Sequence, residues 1–218
     1  MGRRRVANPL ALAVLGCLAE RPMHPYEMSA TMRERGKDES IKLNYGSLYT
    51  VVESLQKHGL IAVRETVREG RRPERTVYEI TEAGRLEFID WLSELISTPV
   101  KEYAAYEAGL SLLGGLGPDE ALRALRQRIL RLRADLEAGR EMLRQAEQLH
   151  IPRLFLIEGD YRRGQLEAEL EFTEKLVTSI ADGSLGGVDV WREMHRRYEA
   201  GEEVEPWTLD GSPTTGDP

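Results

Sequence analysis

The chain has little of what disulfide-rich or membrane-bound proteins depend on. Its 218 residues include one cysteine, Cys17, so no intramolecular disulfide can form and a reducing cytoplasm is the expected compartment. Aromatic residues make up only 6% of the chain. The apolar run from Leu10 to Ala19 is shorter than the roughly 20 residues that a membrane-spanning helix needs. We therefore expect a protein without a membrane segment.

The beginning of the chain allows two interpretations. Arg3, Arg4 and Arg5 precede the apolar run, an arrangement that resembles the basic and hydrophobic regions of a signal peptide. The alternative is a buried core helix with Asn8 as N-cap and Pro9 in its first turn. We favour the core helix, because the segment that follows needs such a helix to pack against.

The sequence also lacks the residue groups of an enzyme or a metalloprotein. Its four histidines are isolated from one another, so they build neither a zinc site nor a catalytic dyad. There is no phosphate-binding glycine loop, and the many carboxylates follow helical spacings typical of a solvated surface. We expect no enzymatic activity, no bound metal and no cofactor.

Acidic residues are in excess, but they are distributed unevenly. The chain has 37 acidic and 30 basic residues, and the net charge of −7 by itself argues against nucleic-acid binding. Residues 1–85, however, carry +4, and the remainder carries −11. Such asymmetry predicts domains with different partners. We expect a first domain at 1–97, a helical domain at 98–200 and a disordered tail at 201–218.

The first domain is predicted to contain three helices followed by a β-hairpin. Apolar periodicity and capping residues place the helices at 9–20, from 25 to near 36, and at 45–58, and the strands at 60–69 and 76–81. In the second helix Tyr26, Met28 and Met32 are expected to point inward. In the first strand Ile61, Val63 and Val67 are expected to share one face. Three helices with a basic hairpin form a winged helix, a variant of the helix-turn-helix.

The third helix has the surface that a DNA-reading helix needs. Its core stripe consists of Leu48, Val51, Val52 and Leu55. The opposite face is small and polar near its start, and consists of Gly46, Thr50, Glu53 and Lys57. The hairpin tip carries Arg71, Arg72 and Arg75, which could bind the DNA backbone. An arginine-rich turn alone also serves solubility, but together with this helix it predicts a DNA-binding domain.

The same segments carry a family resemblance. The strings LGCLAE at 15–20, PMHPYEM at 22–28, GSLY at 46–49, GLI at 59–61 and YEITEAGR at 78–85 stand in the order and spacing of PadR-type transcriptional regulators. The resemblance covers residues 9 to about 88. Two departures are Pro25, where the family commonly has glycine, and Thr50, where it often has proline or arginine.

This resemblance implies a homodimeric repressor, often of its own gene or of a detoxification or efflux operon. The candidate DNA-binding residues are Lys42, Asn44, Tyr45, Ser47, Tyr49, Thr50, Lys57, Arg71, Arg72 and Arg75. Ser47 suits a phosphate contact, and Thr50 suits a base edge or a thymine methyl group. Tyr49 either reads a base or packs on the core edge with its hydroxyl at a phosphate, and His24 and Tyr26 are expected to be structural.

The second half predicts a connecting helix from Glu82 to about Ile96, capped by Thr81. Its core stripe is expected to consist of Phe88, Ile89, Leu92, Leu95 and Ile96. Trp91 lies off this stripe, where it would contact a second subunit, an effector or a neighbouring helix. We take Trp91 and Phe88 as candidate effector-pocket residues.

Further helices are predicted at 103–113, from Pro118 onward, from Pro152 to about Ala181, and at 188–198. The helix after Pro118 has a seam that is either coiled-coil-like or part of an intramolecular hairpin; the seam consists of Leu122, Leu125, Ile129, Leu132, Leu136, Gly139, Leu143 and Ala146. The next helix is apolar on two faces, so the preceding helix and a partner subunit are its expected neighbours.

These patterns predict a mainly α protein, with a winged helix-turn-helix domain followed by an all-helical dimerisation domain. The predicted function is a homodimeric, sequence-specific repressor that binds double-stranded DNA at a pseudo-palindromic operator and responds to a small apolar or aromatic effector. The alternative is a helical adaptor that uses its winged helix for contact with other proteins.

Overall fold

The computed structural model describes residues 8–67 and 75–202. The chain divides into two compact units, with the boundary between Lys101 and Glu102. Among the described residues, no helix is both long enough and apolar enough to cross a membrane.

The first unit consists of four helices and a two-stranded antiparallel sheet. In chain order the elements are α1 (Pro9–Glu20), α2 (Pro25–Glu34), α3 (Tyr45–Lys57), β1 (Ile61–Val67), β2 (Arg75–Ile80) and α4 (Glu82–Ser97). Helix α2 ends two residues before Gly36, which takes the left-handed conformation at φ +65°. The predicted order of three helices and a hairpin is therefore confirmed.

Side-chain caps begin three of these helices where the sequence predicts them. The Asn8 side chain accepts a hydrogen bond from the Leu10 amide at 2.9 Å. Asn44 Oδ1 accepts from the Ser47 amide at 2.7 Å, and Thr81 Oγ1 accepts from the Gly84 amide at 3.1 Å. Each bond satisfies a backbone N–H that has no partner inside the helix, so the starts of α1, α3 and α4 are locally encoded.

Helix α1 lies at the centre of the first core. Its buried side chains pack with residues from every other element of the unit, including Met28 and Met32 of α2, Leu48 and Leu55 of α3, Ile61 and Ile80 of the sheet, and Trp91 of α4. The apolar run near the start of the chain thus forms the core helix that the sequence analysis favoured.

The hairpin is irregular in its first strand. Ile61 pairs with Ile80 and Val63 with Tyr78, but a β-bulge follows between Val63 and Glu65. Ile61 is buried but Val63 is 43% exposed, although the register between them is regular, so the predicted shared face is not buried as far as Val63. Met23 exchanges two backbone hydrogen bonds of 3.0 Å with Tyr78, which ties the turn before α2 to the hairpin.

Helix α4 packs through a different face from the predicted one. Ile89, Leu92, Leu95 and Ile96 are exposed, Ile96 by 83%, whereas Trp91 is only 5% exposed. The inward face instead carries Gly84, Phe88 and Trp91. A Cβ atom at Gly84 would lie 2.0 Å from the Leu60 carbonyl oxygen, so this glycine permits the close approach that sets the orientation of α4.

The second unit is built from four further helices. They are α5 (Ala105–Ser111), α6 (Pro118–Gln148), α7 (Ile157–Ala181) and α8 (Val188–Glu199). Helix α5 is shorter than the predicted helix at 103–113. Its N-cap residue, Ala104, makes no side-chain capping bond, and a separate 3₁₀ turn at Leu113–Gly115 follows the helix.

Helices α6 and α7 form the intramolecular hairpin that was one of the two interpretations of the α6 seam. They are the most extensively packed helix pair in the described chain. Most of the leucine and isoleucine residues of the seam are buried, and Ala146 continues it, while Gly139 is exposed. A small core closes one end of the hairpin; it consists of Ala121, Leu122, Leu125, Ile180, Val188 and Trp191.

Candidate nucleic-acid interface

No other described element of the first unit covers the outer face of α3, as the sequence predicts. Gly46, Thr50, Glu53 and Lys57 are all exposed, and the core stripe opposite them is buried. The Thr50 hydroxyl donates a hydrogen bond to the Gly46 carbonyl at 3.0 Å. Because that hydroxyl is engaged within the helix, the group Thr50 offers most readily to a partner is its methyl.

Ser47 and Tyr49 flank this outer face. Ser47 is half-buried beside the Asn44 cap, whereas Tyr49 is 46% exposed. Burial raises the pKa of the neighbouring Tyr78 hydroxyl, and the charges of Glu53 and Tyr49 raise it further. Tyr49 of α3 is therefore close enough to Tyr78 of β2 for their hydroxyl groups to interact, and about half of its surface is accessible.

Tyr26 does not point inward, and that prediction is wrong. It is 62% exposed and stacks on Tyr45, the first residue of α3, with ring centroids 6.3 Å apart and ring planes 13° from parallel. Position 26 is the second residue of a helix that presents Met28 and Met32 to the core. Position 26 lies about 200° from position 28 around an α-helix, so the Tyr26 ring faces outward, where it meets Tyr45.

Arg33 completes this surface group. Its Nη1 donates to the Tyr45 hydroxyl at 3.0 Å, and its guanidinium carbon lies 5.0 Å from the centre of the Tyr45 ring. The hydrogen bond from Arg33, and a further one from Ser29, lower the pKa of the Tyr45 hydroxyl. The sequence analysis did not identify Arg33, although its spacing of seven residues from Tyr26 places both on one face of α2.

His24 acts as the N-cap of α2. Its Nδ1 accepts a hydrogen bond from the Tyr26 amide at 3.0 Å, while Glu27 accepts from the His24 amide at 3.1 Å. Burial lowers the pKa of His24, and the positive charge of Arg75 lowers it further against the opposing effect of Glu27. His24 is thus a capping residue close to the start of β2.

Only some of the basic residues that are candidates for DNA binding lie within the described part of the chain. Lys42, Lys57 and Arg75 are exposed. Arg71 and Arg72 lie outside the described residues. The candidate effector residues lie in the core of the first unit, where Trp91 is buried and Phe88 packs partly buried against α1, with its ring 3.4 Å from a Cβ built on Gly16.

The winged helix-turn-helix class of domain is defined by three features. They are a helix-turn-helix pair, an exposed second helix in that pair, and an antiparallel hairpin. Residues 14–90 match the model of the transcriptional regulator PadR-like family. The first unit therefore contains a region that is similar to this family of transcriptional regulators.

Solved structures of PadR proteins share this fold. The chain is similar to Bacillus subtilis PadR in complex with operator DNA, with 19% identity, a TM-score of 0.62, and coverage of 78% of this chain and 98% of that one. It is similar to the same protein in complex with p-coumaric acid, with 17% identity, a TM-score of 0.62, and coverage of 78% and 96%.

A PadR-like transcriptional regulator from Bacillus cereus gives 19% identity, a TM-score of 0.54, and coverage of 82% of this chain and 99% of that one. No curated protein matches the chain in sequence. At these identities the likeness establishes the fold: a winged helix followed by a helical C-terminal region.

Proposed function

We propose that the protein is a sequence-specific DNA-binding transcriptional regulator that acts as a homodimeric, effector-responsive repressor. The observation that carries the proposal is the exposed, small and polar outer face of α3 within a PadR-like domain. A helix enters the major groove only where side chains near its start leave room for the bases. Gly46 and Thr50 leave that room.

Helix α3 reads the DNA with its N-terminal half. Asn44 fixes the start of the helix, and the positive end of the helix dipole then faces the phosphates beside Ser47. Thr50 contacts a base edge through its methyl group, and Lys57 reaches the backbone at the far end. Tyr49 approaches the DNA from the side of the hairpin.

The distribution of charge determines which surface docks. Residues 1–85 carry +4, whereas the rest of the chain carries −11 and is repelled by phosphate. Docking therefore uses the α3 and hairpin face, where Arg71, Arg72 and Arg75 bind the backbone. We expect modest non-specific affinity with a strong dependence on salt.

The second unit supplies the dimer contact. Helix α7 turns Leu166, Leu170 and Val177 partly away from solvent, but Tyr161 and Phe172 on another face are 68% and 50% exposed. A helix apolar on two faces needs two neighbours, and α6 provides one. A second copy of the chain is the other, so that two α3 helices enter successive major grooves about 34 Å apart.

Solved structures that share the fold support the proposal of an effector response and of repression. Bacillus subtilis PadR has been solved with operator DNA and with p-coumaric acid. In this chain, an aromatic acid or apolar compound would bind a form of the dimer in which the distance between the two α3 helices does not match the operator. Binding of the compound and binding of the operator are then linked, so the compound weakens operator affinity.

The hairpin arginines provide the direct test. Replacing Arg71 and Arg72 by alanine should weaken binding to duplex DNA of any sequence and reduce the salt slope by about one for each lost phosphate contact. Arg126→Ala is the control for the loss of one arginine charge, because Arg126 lies at an exposed site on α6. An unchanged slope in the double variant would contradict the wing assignment.

The operator itself is found by selection from genomic DNA. Fragments of the source genome that the purified protein retains are sequenced, and a pseudo-palindrome upstream of a gene, its own included, is the expected result. If the retained fragments share no sequence, then specific regulation is the wrong function.

A further inference from the structure

We infer that Arg33 on α2 is a phosphate-binding residue of the DNA interface, and that Tyr45 and Tyr26 hold its guanidinium in place beside the start of α3. This inference rests on the proposed DNA-binding function and adds a contact on α2 that lies outside both the reading helix and the wing.

Arg33 differs from the neighbouring arginines in its partners. Three other arginines of the first unit each pair with a carboxylate. The pairs are Arg21 with Glu27, Arg35 with Glu20, and Arg64 with Glu79. Arg33 is exposed, and among the described residues it has no carboxylate partner. Its one hydrogen bond goes to the neutral Tyr45 hydroxyl and uses one of five N–H donors. No described residue engages the remaining donors, so they and the positive charge can meet an external anion.

The tyrosines restrict where that charge lies. The guanidinium is held by the hydrogen bond to the Tyr45 hydroxyl and by a cation–π contact with the Tyr45 ring, 5.0 Å from its centre. Tyr26 stacks on the same ring. An arginine that is held in place loses less side-chain entropy on binding than a free one. Both rings are well exposed, so they contribute little to the core.

The site lies where a DNA strand would pass. Tyr45 is the first residue of α3, and the exposed face that begins at Gly46 follows it directly. When α3 occupies the major groove, the helix before it in a helix-turn-helix crosses the DNA backbone. A phosphate is therefore the anion that Arg33 meets, and the planar guanidinium suits two of its oxygens.

Salt-dependent binding to a duplex of about 30 base pairs with arbitrary sequence tests the inference, because phosphate contacts are independent of sequence. Arg33→Ala should reduce the slope of log affinity against log salt concentration by about 0.9 per protomer. If the affinities of variant and wild type become equal near 1 M salt, this slope change corresponds to a loss of about eightfold in affinity per protomer near 0.1 M salt. Arg33→Lys keeps the charge, so it should restore the slope without restoring the full affinity.

Tyr45→Phe separates holding from binding. It keeps the ring and the Arg33 charge but removes the hydroxyl that accepts the hydrogen bond, so we expect the wild-type slope with affinity reduced about 2- to 12-fold. Arg126→Ala again controls for net charge and should leave the slope unchanged. Thermal unfolding of each variant verifies that the first unit remains folded.

The outcomes distinguish the inference from the function on which it rests. If the wild type binds the duplex and Arg33→Ala binds with the same slope and affinity, Arg33 is not a phosphate ligand and the cluster serves another partner. If Arg33→Ala and Tyr45→Phe weaken binding equally at unchanged slope, Arg33 only supports Tyr45. A wild-type protein that binds no duplex at any salt concentration overturns the proposed function as well.

Discussion

The two units differ in how completely they bury their apolar side chains. The first unit surrounds α1 with three helices and a sheet, and its core residues come from all six elements. The second unit is a long helical hairpin whose multi-helix core closes only one end. Large apolar side chains remain exposed along that hairpin and its turn; they include Leu130, Met142, Leu149, Leu154, Phe155, Tyr161 and Phe172.

This difference agrees with the proposed function, in which the first unit binds DNA and the second unit forms the dimer contact. A unit with a closed core can present one rigid polar face to DNA, since its shape does not depend on a partner. A unit that leaves many apolar side chains exposed resembles half of an interface. The outer face of α4, with Ile89, Leu92 and Ile96 exposed, extends the same property into the end of the first unit.

The largest expected effect comes from breaking the first core. Leu48→Ala removes a fully buried side chain from α3, so we expect the free energy of unfolding of the first unit to fall by about 2–5 kcal/mol. Urea unfolding followed by circular dichroism measures this loss.

Tyr49→Ala is the matched control, because Tyr49 is the next residue on α3 but is about half exposed. It should change the stability far less than Leu48→Ala while weakening DNA binding. If the two variants destabilise the protein equally, then Tyr49 is a core residue and its place in the interface is wrong.

A charge on α7 should separate the subunits without unfolding them. Phe172→Asp places a carboxylate on the proposed dimer face, and a central interface residue contributes about 2–4 kcal/mol, so the dimer dissociation constant should rise about 30- to 1000-fold. Sedimentation equilibrium measures this constant, with Phe172→Leu as the apolar control. A Phe172→Asp protein that stays as tightly dimeric as the wild type would place the contact elsewhere.

Sequence reasoning is most accurate where a local rule decides the structure. Asn8, Asn44 and Thr81 cap helices at the predicted residues, because a cap depends only on the next few amides. The face of α4 could not be found in this way. Leucine and isoleucine outnumber tryptophan on that helix, so periodicity selects their stripe, whereas Gly84 against the Leu60 carbonyl turns Trp91 toward the core.

The candidate site shows the same limit. The outer face of α3 follows from helical spacing, and the structure describes it as predicted. The group formed by Tyr26, Arg33 and Tyr45 depends on the packing of α2 against α3, which no spacing within one helix reveals. Long-range contacts of this kind are the part that the sequence alone does not provide.

A smaller effect tests how firmly α5 belongs to the second unit. The buried Thr173 hydroxyl on α7 donates to the Glu169 carbonyl at 2.7 Å and lies 2.9 Å from the Tyr106 hydroxyl of α5. Thr173→Val keeps the shape but removes both hydrogen bonds, so the second unit should lose about 1–2 kcal/mol in urea unfolding. Combining it with Tyr106→Phe in a double-mutant cycle isolates the link between the helices; a coupling energy of zero would show that α5 is held by other contacts.

The smallest expected effect is the dependence on pH that His24 gives to the stability of the first unit. Burial and Arg75 lower the pKa of His24, so the folded state favours the neutral ring, whose Nδ1 caps α2. A lowered pKa contributes stability above the unfolded value of about 6.5, and this stability is lost as the pH falls below it. The melting temperature of the wild type should therefore decrease more between about pH 7.5 and pH 5 than that of His24→Asn, which keeps a capping oxygen that does not titrate in this range.

His150→Asn is the control in the second unit, at a position with φ +55° that asparagine tolerates. If the melting temperatures of the wild type and of His24→Asn fall equally with pH, then protonation of His24 does not disturb the cap.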